Sequence, residues 1–129
     1  MILKCSLEAL RNLLNNNVIN KKIAIRCGII EILLYSLPLF WEDAEFLEIA
    51  FAVVWVVSIK YEAAKAMIFK KGLVKYLIKA LKDRSSLICK TACGAIGVLC
   101  EKSKLRVRII LPFFFFFRFN SNKIRKKKS

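Results

Sequence analysis

The sequence contains no histidine, four scattered glycines and two prolines, and no apolar run of the ~18 residues that a membrane-spanning helix needs. Without histidine, the usual general base of a nucleophilic triad and a common metal ligand are both missing. The glycines form no phosphate-binding loop, and no convergent carboxylates are present. We therefore expect no enzyme: no catalytic residue, cofactor, metal site or transmembrane segment.

Cysteine is present in an odd number and without a C-x-x-C pair. The N-terminus lacks the basic region, apolar run and cleavage site of a secretory signal, so reduced thiols in a cytoplasmic protein are expected. Cys89 and Cys93 would share one face of a helix. A metal pair is the alternative there, but the lack of histidine and of a second thiol pair favours core packing.

The apolar segments that dominate the chain follow a repeated layout. Both Ala9 to Leu37 and Ala52 to Lys82 contain an apolar helix end, a polar break, a basic amphipathic segment, one glycine and a second apolar helix. Gly28 and Gly72 align at a spacing of 44 residues, which also pairs Leu13 with Val57, Lys21 with Lys65, Ile25 with Phe69 and Leu37 with Leu81. Such a helical period predicts an all-α solenoid of about two full repeats plus partial ones.

The first copy has clear start and stop signals. An apolar stripe in residues 1 to 14 predicts an amphipathic helix that ends at Asn15 to Asn17. The stripe consists of Leu3, Leu7, Leu10 and Leu14. In Val18 to Arg26, the expected inward residues are Ile19, Ile23 and Ala24, and the expected outward ones are Asn20, Lys21 and Lys22.

Glycine, proline and acidic residues predict the next boundaries. Gly28 and Gly72 should each take a positive φ and close a short helix. Ile29 to Leu37 should be a buried helix that Pro38 stops. Acidic residues should then begin the next helix, at the positive end of its dipole: Glu42, Asp43 and Glu45. An acidic catalytic cluster is the alternative interpretation of these three residues.

The second copy carries a lysine stripe on its last helix. Leu73, Leu77, Ile78 and Leu81 are expected inside. The lysine stripe on the outer face consists of Lys71, Lys75, Lys79 and Lys82. A solvated convex face is the simpler interpretation, and a contact for an acidic partner is the alternative.

A third long helix should follow, with Asp83 or Ser85 as its cap. Its glycines, Gly94 and Gly97, weaken the helix but allow another helix to approach closely. The expected inward residues are Leu87, Ile88, Ala92, Ala95, Ile96 and Leu99.

The formal charge of +15 is concentrated in an atypical tail, residues 105–129, which hold eight Lys or Arg and no acid. Residues 1–104 form the expected repeat domain, whereas the Phe-rich and then Lys-rich tail is expected to be disordered and outside the fold. Pro112 should interrupt any helix in it. Val107-Arg108 can be encoded by GTAAGA, a splice-donor sequence, so the residues from about Val107 onward are interpreted as intron read-through into a truncated piece of a longer solenoid.

Residues 1–104 resemble the armadillo-repeat family. Ala9-Leu10-Arg11-Asn12-Leu13-Leu14, Asn20-Lys21, Ile25 and Gly28 are similar to the family's A-L-x-N-L, N-K and I-x-x-G pattern. The resemblance implies a right-handed superhelix whose third helices line a concave groove that binds extended peptides, so other proteins are the expected partners.

In that family an asparagine, with a tryptophan four residues before it, holds the peptide backbone. Asn12 matches the asparagine, and Val56 and Val98 fill the later positions. The tryptophan positions hold Glu8, Ala52 and Gly94, so the importin-like ladder is present once at most. Trp55 lies beside a ladder position and is expected in the core rather than in the groove.

A narrower resemblance concerns Trp55 to Lys65, W-V-V-S-I-K-Y-E-A-A-K, which is similar to W-A-L-x-x-N-Y-x-K-A-K in the C-terminal armadillo repeats of rotatin, the anastral spindle protein of insects. This resemblance implies a structural role at centrioles and ciliary basal bodies. The leading function is therefore a non-enzymatic protein-binding scaffold. The alternative is a basic helical module that binds nucleic acid or an anionic surface.

Overall fold

The computed structural model describes residues 1–83 and 85–113, and in these ranges all regular structure is helical. The fold is therefore all-α, as the sequence predicts. The helices are α1 (Ile2–Leu14), α2 (Val18–Arg26), α3 (Ile29–Leu39), α4 (Ala44–Ser58), α5 (Glu62–Lys70), α6 (Val74–Asp83) and α7 (Ser86–Cys100). A further helix, α8, is described over residues 104–113.

The chain divides into two compact units, Met1–Leu99 and Cys100–Ser129. The first contains α1 to α6 and nearly all of α7, and the second contains α8. Within the described ranges, no helix combines the length and the apolar character that crossing a bilayer requires.

Side-chain caps start three of the helices. The Asn17 side chain accepts a hydrogen bond from the Asn20 amide at 2.9 Å, and Asp43 accepts one from the Phe46 amide at 3.1 Å. Ser103 Oγ accepts one from the Arg106 amide at 3.3 Å at the start of α8. Such caps satisfy backbone donors that have no partner inside the helix.

The turns between long and short helices recur with the same geometry. Asn16, Lys60 and Lys102 have positive φ values of 54°, 53° and 60°, each two residues after a long helix ends. Left-handed backbone at a residue other than glycine is uncommon, so three occurrences at one place in the pattern mark a repeated turn. The same turn thus follows each of the three long helices, α1, α4 and α7.

The two glycine expectations are confirmed. Gly28 and Gly72 have φ values of 87° and 79°, and each follows the short helix α2 or α5. A side chain at these angles would crowd the backbone, which is why glycine closes both short helices.

The core of the first unit surrounds α4, whose inward side chains include the fully buried Phe46 and Phe51. Helix α1 packs along α4, and the Phe40 ring lies 5.3 Å from that of Phe46 between centroids. Trp41 meets the Phe51 ring edge-on at 6.4 Å. A helix that buries this much of its surface needs apolar residues on most sides, which explains the valine-rich sequence of α4.

The prediction for α2 is correct at Ala24 and Lys22 but wrong at Ile19, Ile23 and Lys21. Ile19 and Ile23 are exposed, whereas Lys21 and Ala24 are buried. The short helix turns Lys21 toward the end of α4, where its ammonium donates to the Ile59 carbonyl at 2.6 Å. That hydrogen bond lets a charged group lie inside, and it leaves the two isoleucines on the opposite side.

Both prolines lie inside helices, contrary to the expected stops. Pro38 is exposed in the last turn of α3, which continues to Leu39, because the Phe40 amide still bonds to the Ser36 carbonyl at 3.0 Å. Pro112 lies within α8, so residues 105–113 of the expected tail are helical. The remaining expectations for the tail concern residues 114–129, which lie outside the described residues, and the read-through hypothesis stays a prediction.

The inward set of α7 is confirmed except at Leu87, which is 54% exposed. Leu87 lies in the first turn, and the inward line of the helix begins one residue later, at Ile88. Helix α7 starts directly after Ser85, whose carbonyl accepts from the Cys89 amide at 3.0 Å.

Candidate protein-binding surfaces

The position of the predicted groove asparagine and its two equivalents share one place at the helix ends. Asn12, Val56 and Val98 each lie two residues before the last residue of a long helix, α1, α4 or α7. Asn12 is exposed, and the two valines are half-buried, so all three present side-chain surface to solvent. We call this set the groove positions.

Trp55 connects two of the long helices. Its ring is half-buried and lies against Gly94 of α7, where a Cβ atom would be 2.4 Å from ring carbons Cη2 and Cζ3. Trp55 therefore takes part in the packing of α4 on α7 while keeping one side accessible. Because Gly94 has no side chain, the Trp55 ring of α4 occupies the space beside it.

The lysine stripe is exposed, as expected for a convex face, but its members contact neighbouring side chains. Lys71 pairs with Glu31, and this hydrogen bond lowers the pKa of the Glu31 carboxyl. The Lys79 ammonium lies 4.7 Å from the Trp41 ring centroid, and that of Lys75 lies 5.1 Å from the Tyr76 ring. Cation–π and ion-pair contacts of this kind stabilise a surface locally.

The acidic residues before α4 form a structural contact between helices. Lys4 of α1 is 2.7 Å from Asp43 and 3.3 Å from Glu45. Hydrogen bonding to Lys4 lowers the pKa of Asp43, and hydrogen bonding to Asp43 raises the pKa of Lys4. Because Asp43 also caps α4, these groups fix where α1 and α4 meet, which favours the structural interpretation of the cluster.

The cysteines form no disulfide. The expected core packing of Cys89 and Cys93 is wrong, because Cys93 is exposed and Cys89 is only half-buried. Partial loss of hydration raises the pKa of the Cys93 thiol. Among residues 1–83 and 85–113, no three His, Cys, Asp or Glu side chains come close enough together to hold a metal ion.

An apolar cleft of about 340 Å3 was missed by the sequence analysis. It lies between α1, α2 and α3, and we call it the N-terminal cleft. Its wall includes Leu10, Leu13, Asn20, Ile23, Cys27 and Ile32. The exposed Ile23 of α2 belongs to this wall, so the apolar pattern of α2 was a signal for the cleft rather than for the core.

The buried Lys21 was also missed, although the sequence contained a signal for it. Lys21 and Lys65 occupy equivalent places in the two copies, and both are buried. Lysine recurs at the repeat spacing of 44 residues although the residues on either side of it differ between the two copies. This recurrence indicates a structural role.

Comparison with known proteins adds no assignment, because the chain matches no family model, no curated protein and no solved structure.

Proposed function

We propose that this chain is a protein-binding scaffold, an α-solenoid of armadillo-like repeats whose long helices present a groove to an extended segment of another protein. Support comes from the groove positions, which recur in one register on α1, α4 and α7 and keep accessible side-chain surface. A surface repeated in this way suits a ligand that is itself extended and periodic.

The chemistry of the groove positions sets the expected ligand. One amide, from Asn12, can bond to a peptide backbone, whereas Val56 and Val98 offer only apolar contact. The ligand we propose is therefore an extended segment with apolar side chains at intervals, held by one backbone contact near α1.

The test is a selection of peptide segments displayed on phage against the full chain, followed by titration calorimetry of the enriched peptides. Val56→Arg and Asn12→Asp should each weaken binding at least about tenfold, because one fills the groove with charge and the other removes an amide donor. Circular dichroism should be unchanged, since both side chains reach solvent.

The matched control replaces the lysine stripe, Lys71, Lys75, Lys79 and Lys82, by glutamine. This variant should bind the same peptides with unchanged affinity. Loss of binding in this variant alone, together with a steep decrease in affinity as salt rises, would instead support the basic module that binds an anionic surface.

The location of this scaffold is a second part of the proposal, and it rests on the rotatin-like segment Trp55 to Lys65 alone. A structural component of centrioles and basal bodies should concentrate there when the chain is expressed with a fluorescent tag in ciliated cells. A uniformly cytoplasmic signal, equal to that of the tag alone, would discard this location while leaving the groove proposal intact.

A further inference from the structure

Equivalent positions in α1 and α4 differ sharply in exposure. Ile2 is 86% exposed, whereas Phe46, 44 residues later, is fully buried. Leu13 is 61% exposed, and its equivalent Val57 is fully buried. The two helices end at equivalent residues, Leu14 and Ser58, so the difference arises from what lies next to each helix.

The neighbour responsible can be identified within this chain. Helix α4 packs along α1, and its Trp55 lies against Gly94 of α7, whereas the main helix packed along α1 in the described ranges is α4. Phe46 lies against the Phe40 ring, 5.3 Å away between centroids, and Phe40 directly follows α3, so the preceding helices contribute to its burial. Leu13 forms part of the N-terminal cleft, and it belongs to α1, the helix that packs along α4.

The backbone carbonyls that follow α1 and α4 are also equivalent. Lys21 of α2 donates to the Ile59 carbonyl, just past the end of α4. The equivalent residue after α1 is Asn15, whose backbone angles of −63° and 123° match those of Ile59, −62° and 120°. Both carbonyls lie at the negative end of a helix dipole, which is complementary to an ammonium group.

We propose that the N-terminal cleft is a docking site for a further set of helices equivalent to α1–α3. Its helices cover Ile2 and Leu13, the positions equivalent to the buried Phe46 and Val57. A lysine of its short helix, in the place of Lys21, donates to the Asn15 carbonyl. This inference depends on the packing of the first unit and not on peptide binding by the groove positions.

The experiment supplies that occupant from the chain itself. Residues 1–44 are placed directly before Met1 of the full chain, which keeps the spacing of 44 residues that relates α1 to α4. The extended chain should unfold in one transition with a melting temperature higher by about 5 °C or more, because the cleft is then covered.

One substitution made in two places gives the internal control. Leu13→Glu in the original copy, now covered, should lower the melting temperature of the extended chain by about 5 °C or more. The same change in the added copy, where Leu13 is again at the open end, should change it by about 1 °C or less. Tyr35→Glu should be tolerated in both copies, because its equivalent Lys79 stays exposed when a preceding set is present.

The lysine contact has a test of its own. Lys21→Met in the added copy should lower the melting temperature of the extended chain more than Lys22→Met in that copy, because Lys22 is exposed.

Three results would overturn the proposal. One is equal tolerance of Leu13→Glu in both copies, and another is an extended chain that unfolds in two separate transitions. The third is concentration-dependent dimerisation of the unextended chain that Leu13→Glu abolishes in sedimentation, which would make a second copy the occupant.

Discussion

Replacing Lys21 by alanine is expected to lower the free energy of unfolding by about 3 kcal/mol, far more than a lysine on a short amphipathic helix would normally contribute. Lys21 is 3% exposed, and its ammonium is 2.6 Å from the Ile59 carbonyl. Alanine would remove both the packed methylene chain and the charged donor at the end of α4. Urea unfolding followed by circular dichroism measures the change.

Two matched substitutions separate the contributions. Lys21→Met keeps most of the packed chain and removes only the donor, so about 1–2 kcal/mol should be lost. Lys22→Ala, at the exposed neighbouring position, should change stability by about 0.5 kcal/mol or less. If Lys21→Ala proved as mild as Lys22→Ala, the Ile59 contact would contribute nothing to folding.

The pH dependence of stability gives an independent measure of the same group. Burial, and secondarily the charge of Lys60, lowers the pKa of Lys21 from its ordinary value of 10.5. Between the lowered pKa of the folded state and 10.5, the unfolded chain binds more protons at this site than the folded chain does. Stability should therefore rise with pH across that window, relative to Lys21→Met, in which the group is absent. A constant difference between the two proteins would mean that the pKa of Lys21 is not lowered.

Lys21 also illustrates how far the sequence alone could lead. The spacing of 44 residues located both short helices, both glycine turns and the ends of α1 and α4, because these depend on local backbone chemistry. The facing of α2 was predicted wrongly, since hydropathy placed Ile19 and Ile23 inside. Which side of a short helix is buried depends on the neighbouring helices, and local periodicity carries no information about them.

The candidate site, too, could be predicted from the sequence only in part. Counting along the repeat relates Asn12 to Val56 at 44 residues and Val56 to Val98 at 42, and all three lie two residues before the end of a long helix. The contact of Trp55 with Gly94 could not be counted in this way, because it joins two helices through the shape of one ring and the absence of one side chain. The expectation that glycine allows close helix approach is confirmed at Gly94 and wrong at Gly97, which is exposed and has no neighbour within 4 Å. The partner of Gly94 could not be named from the sequence.

The same contact gives the second large prediction, in which a substitution that favours helix formation should destabilise the protein. Alanine is favoured over glycine inside a helix by about 1 kcal/mol, and Gly94 lies within α7. At this position, however, the new Cβ atom would be 2.4 Å from the Trp55 ring. Gly94→Ala should therefore lower the free energy of unfolding by about 2 kcal/mol, since the ring must move or the helices must separate.

Gly97 provides the control on the same helix. It is exposed, and a Cβ atom there would have no neighbour within 4 Å, so Gly97→Ala should raise stability by about 0.5–1 kcal/mol through helix propensity alone. Adding Trp55→Leu should reverse the sign at position 94, because the shorter side chain leaves room for the methyl group. A double-mutant cycle measures this coupling.

Displacement of the half-buried ring should also shift tryptophan emission to longer wavelength in Gly94→Ala and not in Gly97→Ala. Equal stabilisation by both alanine variants would mean that Trp55 does not pack on α7, and the groove positions of α4 and α7 would then lose the contact that holds them side by side.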